Sequence, residues 1–173
     1  MNRGFTVLEL LIVIAVMGLL SNVVYANVSS SRATARDAIR MSDMKSIQKS
    51  LELYYNDFGQ YPSTGVGMAG VPSTWANCSS VSIGGHPATG TNAWIPGLAP
   101  DYISALPDDP KPDLGNSCFN YRYKSNGRDY KLAAFRTAEV FCPTSDNIWY
   151  DLSSNPAWCV LTIYTPGARL WAF

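Results

Sequence analysis

The chain has 173 residues, with 13 basic and 13 acidic side chains, and this length favours a single domain with a modest core. Its formal net charge is zero, so there is no general electrostatic footprint for nucleic acid and no nucleic-acid partner is indicated. Only 15% of the residues are charged, below the usual share of about 25%. Aromatic residues make up 12%, which favours strands and a contact-rich surface over a helical bundle.

The first 31 residues contain an apolar segment with one acidic side chain near its start. Arg3 precedes the segment, Glu9 lies inside it, and no charge follows from Leu10 to Ser31. This stretch is long enough to span a bilayer, which takes about 20 residues, and Arg3 favours a cytoplasmic N-terminus. An acidic side chain deep in hydrocarbon costs roughly 2.5–3.5 kcal/mol, so such a group is usually functional and paired. The alternative is a secretory signal peptide that ends with the small residue Ala26.

The N-terminal motif Gly4-Phe5-Thr6-Val7-Leu8-Glu9, with the apolar run up to Gly18, resembles the N-terminus of type IV pilins and type II secretion pseudopilins. The resemblance implies cleavage after Gly4 by prepilin peptidase and N-methylation of Phe5. It also implies that Thr6 and Glu9 act in assembly. A buried carboxylate needs a partner, and the free amine of Phe5 on a neighbouring subunit is a natural one for Glu9. Ala26 occupies a position where many type IV pilins have proline, so no helix kink is expected there.

The following segment predicts the outer half of one long helix over residues 5–57. Apolar side chains recur at 3-4-3-4 spacing and should pack onto a sheet: Met44, Ile47, Leu51, Tyr54 and Phe58. Arg32, Arg36 and Arg40 recur every four residues, which we interpret as a solvated basic stripe rather than a specific contact. Anionic lipid headgroups or an acidic neighbour are the alternative partners of this stripe. Gly59 and Pro62 should end the helix.

The second half of the chain predicts a small antiparallel sheet. Residues 119–124 alternate between aromatic and polar side chains, which is typical of a half-buried strand. In the next predicted strand Tyr130, Leu132 and Ala134 alternate with Lys131, Ala133 and Phe135. Asn126-Gly127 predicts a two-residue hairpin turn with positive φ at both residues. A third strand is expected at Val160 to Thr165, and residues 169–173 are expected to return as a short edge. With the pilin resemblance, the fold class is α+β: one long N-terminal helix packed against three or four strands.

Four cysteines lie beyond the apolar segment, and none forms a CxxC pair. Two disulfides in an oxidising compartment are favoured, although four cysteines permit three pairings. The pilin resemblance favours Cys142 with Cys159, which enclose sixteen residues like the disulfide-bounded loop of type IV pilins. Cys78 would then pair with Cys118 and tie the loop over residues 62–117 to the first strand.

No cofactor and no enzyme active site are predicted. The chain has no Gly-rich phosphate loop and no Ser-His-Asp or Cys-His arrangement, and His86 lies in a glycine-rich segment as an ordinary surface residue. Major pseudopilins bind calcium, and the group Asp108, Asp109 and Asp113 would be the acidic candidates here. Their spacing matches no EF-hand, so calcium is possible but unsupported.

These features predict a structural subunit with a leader at 1–4, a hydrophobic transmembrane and assembly segment at 5–30, and a periplasmic or extracellular domain at 31–173. We expect a type IV pilus subunit first and a type II secretion pseudopilin second. A secreted binding protein or enzyme with a signal peptide is the alternative of another class. The expected partners are identical or related subunits, prepilin peptidase, the inner-membrane assembly machinery and, before assembly, the bilayer. The subunit would move from the inner membrane to a surface pilus or periplasmic pseudopilus.

Overall fold

The computed structural model describes residues 6–64, 77–78, 88–90, 93–111, 121–135, 137–152 and 154–171. Within these ranges the side chains of residues 22–27, 77–78 and 157 are not described. The architecture is one long helix packed on a small antiparallel sheet, which confirms the expected α+β, pilin-like fold.

Helix α1 runs from Val7 to Phe58 and contains 52 residues. At about 1.5 Å per residue it is roughly 78 Å long. No proline interrupts it, and it continues without a break through the position of Ala26. Gly59 ends the helix with φ 67° and donates its N–H to the carbonyl oxygen of Tyr55. This left-handed geometry favours glycine because it has no Cβ, so the predicted helix end is confirmed.

The core lies between the outer half of α1 and the sheet. Met44, Ile47 and Leu51 of the predicted apolar stripe have no solvent exposure. Trp94, from the long connection after the helix, is also fully buried in this core. Phe58 is 58% exposed, so the buried stripe ends before the last residue of the helix.

The sheet contains four antiparallel strands in the order β1-β2-β3-β4 among the described residues. Their bounds are Asn77–Cys78 for β1, Tyr121–Ser125 for β2, Tyr130–Ala134 for β3 and Leu161–Tyr164 for β4. In the register, Tyr123 lies opposite Leu132, and Leu132 lies opposite Ile163. Two short 3₁₀ turns, Pro156–Trp158 and Pro166–Ala168, flank β4. The described part of the expected return edge, residues 169–171, forms no strand and instead continues the turn that begins at Pro166.

The hairpin between β2 and β3 differs from the predicted two-residue turn. Its loop has four residues, 126–129, and within it only Gly127 has positive φ, at 89°. Asn126 accepts hydrogen bonds at its side-chain oxygen from the N–H groups of Arg128 and Asp129. Asparagine often closes turns in this way, so the Asn-Gly pair marks the hairpin correctly, whereas the turn type was wrong.

Strand β3 is buried on both faces, contrary to the predicted half-buried strand. Ala133 and Phe135 pack with Val160 and Trp158 on the face away from the helix. Lys131 is fully buried on the same face, where its Nζ donates to Asp151 Oδ1 at 2.6 Å and to the Trp171 carbonyl oxygen at 2.7 Å. The C-terminal segment therefore covers a face that the alternating pattern had assigned to solvent.

Candidate assembly surface

The N-terminal half of α1 projects from the domain with its apolar side chains exposed. Every described side chain between residues 7 and 32 is exposed to solvent. Contiguous exposed apolar surface of this extent marks an interaction site in a soluble protein. The apolar residues of the projecting half, residues 7–32, with the largest exposed fractions are Val7, Leu8, Leu10, Met17, Leu19 and Leu20.

A membrane crossing requires a helix of sufficient length and hydropathy, and the part of the chain that the structure describes contains none that satisfies both.

Glu9 lies in the first turn of α1 and forms a capping box with Thr6. The Thr6 hydroxyl accepts a hydrogen bond from the Glu9 N–H at 3.3 Å. Glu9 Oε2 in turn accepts from the Thr6 N–H and the Thr6 hydroxyl, both at 2.9 Å. This exchange satisfies backbone donors that a helix start would otherwise leave unpaired. Both of these hydrogen bonds to the carboxylate end on Oε2, and neither ends on Oε1.

The other predicted site residues fall into two groups. Gly4 and Phe5, assigned to cleavage and methylation, lie outside the described residues, as do Cys118 and the side chain of Cys78. Cys142 and Cys159 form a disulfide, with their Cα atoms 4.6 Å apart. This bond closes the C-terminal loop that ends just before β4.

A buried charge cluster joins α1 to the rest of the domain just beyond the projecting half, at residues 36–40 of the helix. Arg40 is 1% exposed, so the predicted solvated stripe is wrong at this position. Its guanidinium donates to both carboxylate oxygens of Asp109 at 2.7 and 2.8 Å and to Asp37 at 2.7 Å. Glu139 lies 3.3 Å from Arg40 and forms two hydrogen bonds with Arg36 at 2.6 and 2.7 Å. Bidentate contacts of this kind are among the strongest that arginine makes with carboxylates.

The electrostatics of the cluster stabilise ionised carboxylates. Burial alone would raise the pKa of Asp37, but three backbone N–H groups, of residues 139–141, and Arg40 donate to its carboxylate and lower its pKa overall. The hydrogen bond from Arg36 outweighs the burial of Glu139 and, with Lys111 and Arg40, lowers the pKa of Glu139 to about 2. Hydrogen bonding to the charged form is the dominant cause in both cases.

Arg40 and its partners come from three separate parts of the chain. Asp37 and Arg40 lie on α1, Asp109 lies in the Leu106-to-Pro110 segment, and Glu139 follows β3. Two sequence features belong to this cluster. Asp37 and Arg40 are three residues apart on the helix, and two adjacent aspartates, Asp108 and Asp109, lie between two prolines. Neither feature identifies the partner across about 70 to 100 residues of chain.

The described aspartates that were considered for calcium have other partners. Asp109 binds Arg40, Asp108 Oδ1 accepts a hydrogen bond from the Asp109 N–H at 2.9 Å, and Asp113 lies outside the described residues. Where the structure is described, it contains no group of three His, Cys, Asp or Glu residues that could hold a metal ion. Calcium binding therefore stays a prediction from the resemblance.

Comparison with known proteins places these features in a family. Residues 1–21 match the model of the prokaryotic N-terminal methylation motif. The chain is 30% identical over 109 residues to a type II secretion system core protein G of Klebsiella pneumoniae, covering 63% of this chain and 69% of the relative. The chain belongs to the family of type II secretion system core protein G, which are pseudopilins. No solved structure gives a significant match.

Two further core protein G sequences extend the comparison. That of Dickeya chrysanthemi is 27% identical over 149 residues, 84% of this chain and 83% of the relative. That of Pectobacterium carotovorum subsp. carotovorum is 36% identical over 67 residues, but the match spans only 39% of this chain and 43% of the relative. The type IV pilus subunit that we expected first therefore describes only the broader family, and the pseudopilin alternative fits the relatives better.

Proposed function

We propose that the chain is a structural pseudopilin subunit of a type II secretion system. It would be cleaved after Gly4, methylated at Phe5 and polymerised through the projecting half of α1 into a periplasmic pseudopilus. The observation that carries this proposal is the methylation motif over residues 1–21, joined to a helix whose apolar side chains find no cover within their own domain. The name shared by the relatives, a secretion system core protein, supports the pseudopilin over the pilus subunit.

The projecting helix would serve in two environments. Before assembly, the uncharged stretch from Leu10 to Ser31 would anchor the subunit in the inner membrane, with its N-terminus in the cytoplasm beside the prepilin peptidase. During assembly the same surface would leave the lipid and pack against the helices of related subunits. Apolar contact with lipid is exchanged for apolar contact with protein, so directional polar pairs should decide the register.

Glu9 is the group that would set this register. Its Oε2 atom is held by Thr6 of its own chain, which fixes the direction of the carboxylate. The Oε1 atom could then accept the charged amine of Phe5 from a neighbouring subunit. In surroundings that exclude water such a charge pair is strongly directional, and an uncompensated carboxylate there would be costly.

The test is complementation of a strain lacking the gene, scored by the amount of secreted substrate protein and by the polymer recovered from the periplasm. The wild-type chain should restore both. Glu9→Gln, which keeps the shape and removes the charge, should be processed normally and should restore neither. Normal secretion with Glu9→Gln would contradict the role of the charge.

The same strain separates the alternatives. Loss of surface filaments with unchanged secretion would favour the type IV pilus subunit. A mature chain that begins at Asn27 would favour a secreted protein with a signal peptide.

A further inference from the structure

The β4 side of the domain carries a groove that no described segment of the chain fills. The groove has a volume of about 360 Å³ and lies between α1, the disulfide-bounded loop and β4. Six residues line it: Lys45, Gln48, Ile148, Trp149, Ile163 and Tyr164. Ile148 is 84% exposed at its rim, and Lys45 Nζ lies 5.8 Å from the centre of the Trp149 ring. We call this surface the β4 groove; its lining is mostly apolar, and among the described residues Lys45 is the one charged residue that lines it.

The other side of α1 carries a surface of the opposite character. Phe58 is 58% exposed and packs against Tyr54, with ring centroids 4.4 Å apart. The Tyr102 hydroxyl donates to Asp57 at 2.7 Å, and Asp101 beside it is exposed. We call these five residues the aromatic knob: Phe58 is its exposed apolar side chain, Tyr54 and Tyr102 are half-buried beside it, and two carboxylates lie next to it.

The groove and the knob lie on opposite sides of the helix. Gln48 lines the groove and Asp57 belongs to the knob, nine residues later. At roughly 100° per residue, nine residues turn the helix by about 180° relative to the starting direction. The β-sheet agrees with this placement, because β4 is one edge of the sheet and the groove lies on that edge.

A subunit of a helical polymer must present two different surfaces that are complementary and point in different directions. The β4 groove is a mostly apolar cavity that contains Lys45, and the aromatic knob presents the exposed Phe58 ring with the carboxylates of Asp57 and Asp101 beside it. We propose that, in the polymer, the aromatic knob of one copy of this chain binds in the β4 groove of the next. This inference rests on the proposed function and names the contact between the domains of neighbouring subunits.

The experiment is photo-crosslinking in the full chain, assembled in cells. Ile148 is replaced by p-benzoylphenylalanine, a change that its 84% exposure should allow without loss of folding. Irradiation should give covalent dimers and higher multimers, and mass spectrometry should map the adducts to residues 54–58 and 101–102 of the neighbouring copy. The matched control places the same probe at Leu170, which is 75% exposed and belongs to neither surface; its adducts should not map to the knob.

The outcomes separate the contact from the function. Polymer that forms normally, with adducts from position 148 on any other surface, would overturn the contact and leave the proposed function intact. A wild-type chain that forms no polymer would overturn the proposed function and the contact with it.

A charge reversal gives a second readout with the same assembly. Lys45→Glu should lower the polymer yield about fivefold, and adding Asp101→Lys should restore it. Lys49→Glu, an exposed lysine that does not line the groove, serves as the control and should leave the yield unchanged. A double variant that stays as low as Lys45→Glu would refute the pairing of these two surfaces.

Discussion

Replacing Arg40 by methionine should be among the most damaging single changes in the domain. Methionine fills much of the volume but removes the partner of Asp109, a residue that is 4% exposed. Breaking a buried ion pair from one side costs about 3–5 kcal/mol because the remaining charge is left without compensation. For a protein of this size, such a loss lowers Tm by roughly 6–20 °C. Asp37 keeps its three backbone donors, so the loss should arise mainly at Asp109.

The assay is thermal unfolding of the full chain in mild detergent, followed by the fluorescence of the buried tryptophans. The control is Arg32→Met, the same change eight residues earlier on an exposed side chain, which should stay within about 0.5 kcal/mol of wild type. Adding Asp109→Asn to Arg40→Met should recover part of the loss, because the uncompensated charge disappears. Equal Tm values for the Arg40 and Arg32 variants would refute the assignment of the cluster.

Three further changes test other parts of the fold. Leu51→Ala should lower the free energy of unfolding in urea by about 2–5 kcal/mol, because Leu51 is fully buried. Leu53→Ala, at a partly exposed position, should lower it by about 0.5 kcal/mol or less. Equal losses for the two variants would show that the core does not lie on the Leu51 side of the helix. Replacing both Cys142 and Cys159 by serine should lower the free energy of unfolding by roughly 3 kcal/mol. A variant with the same urea midpoint as the oxidised wild-type chain would argue against this disulfide. The hydrogen bond from Arg36 lowers the pKa of Glu139 from 4.5 to about 2, so the stabilisation that Glu139 contributes is present above about pH 4.5 and is lost as the pH falls towards 2. In an acid titration Glu139→Gln should flatten this loss, and an unaltered titration curve would contradict it.

The elements that depend on local patterns were predicted from the sequence. The 3-4 spacing of Met44, Ile47 and Leu51 identified the buried side of α1, because a helix places such residues on one face. Gly59 identified the helix end, since few other residues adopt its backbone conformation easily. The processing motif was identified from its resemblance to the N-termini of pilins and pseudopilins, and the match over residues 1–21 supports that resemblance.

The features that were missed depend on contacts between distant segments. Arg40 looked like a member of an exposed basic stripe, because its partners Asp109 and Glu139 come from 69 and 99 residues further along the chain. Lys131 sits at a position that alternation assigns to solvent, yet Asp151 and the C-terminal segment bury it. Periodicity reports which side of an element is apolar, but it does not report which charged residue will meet a partner of opposite charge.

The central claim is that the projecting half of α1 is an assembly element released by cleavage after Gly4, and the mass of the mature N-terminus tests it most directly. The chain is purified from the membrane fraction of cells that express the complete secretion system, and its N-terminal peptide is measured by mass spectrometry. We predict a chain that begins at Phe5 and carries one methyl group on its amine. A mature chain that begins at Asn27 would contradict the account, because the apolar segment and Glu9 would then be absent from the finished protein.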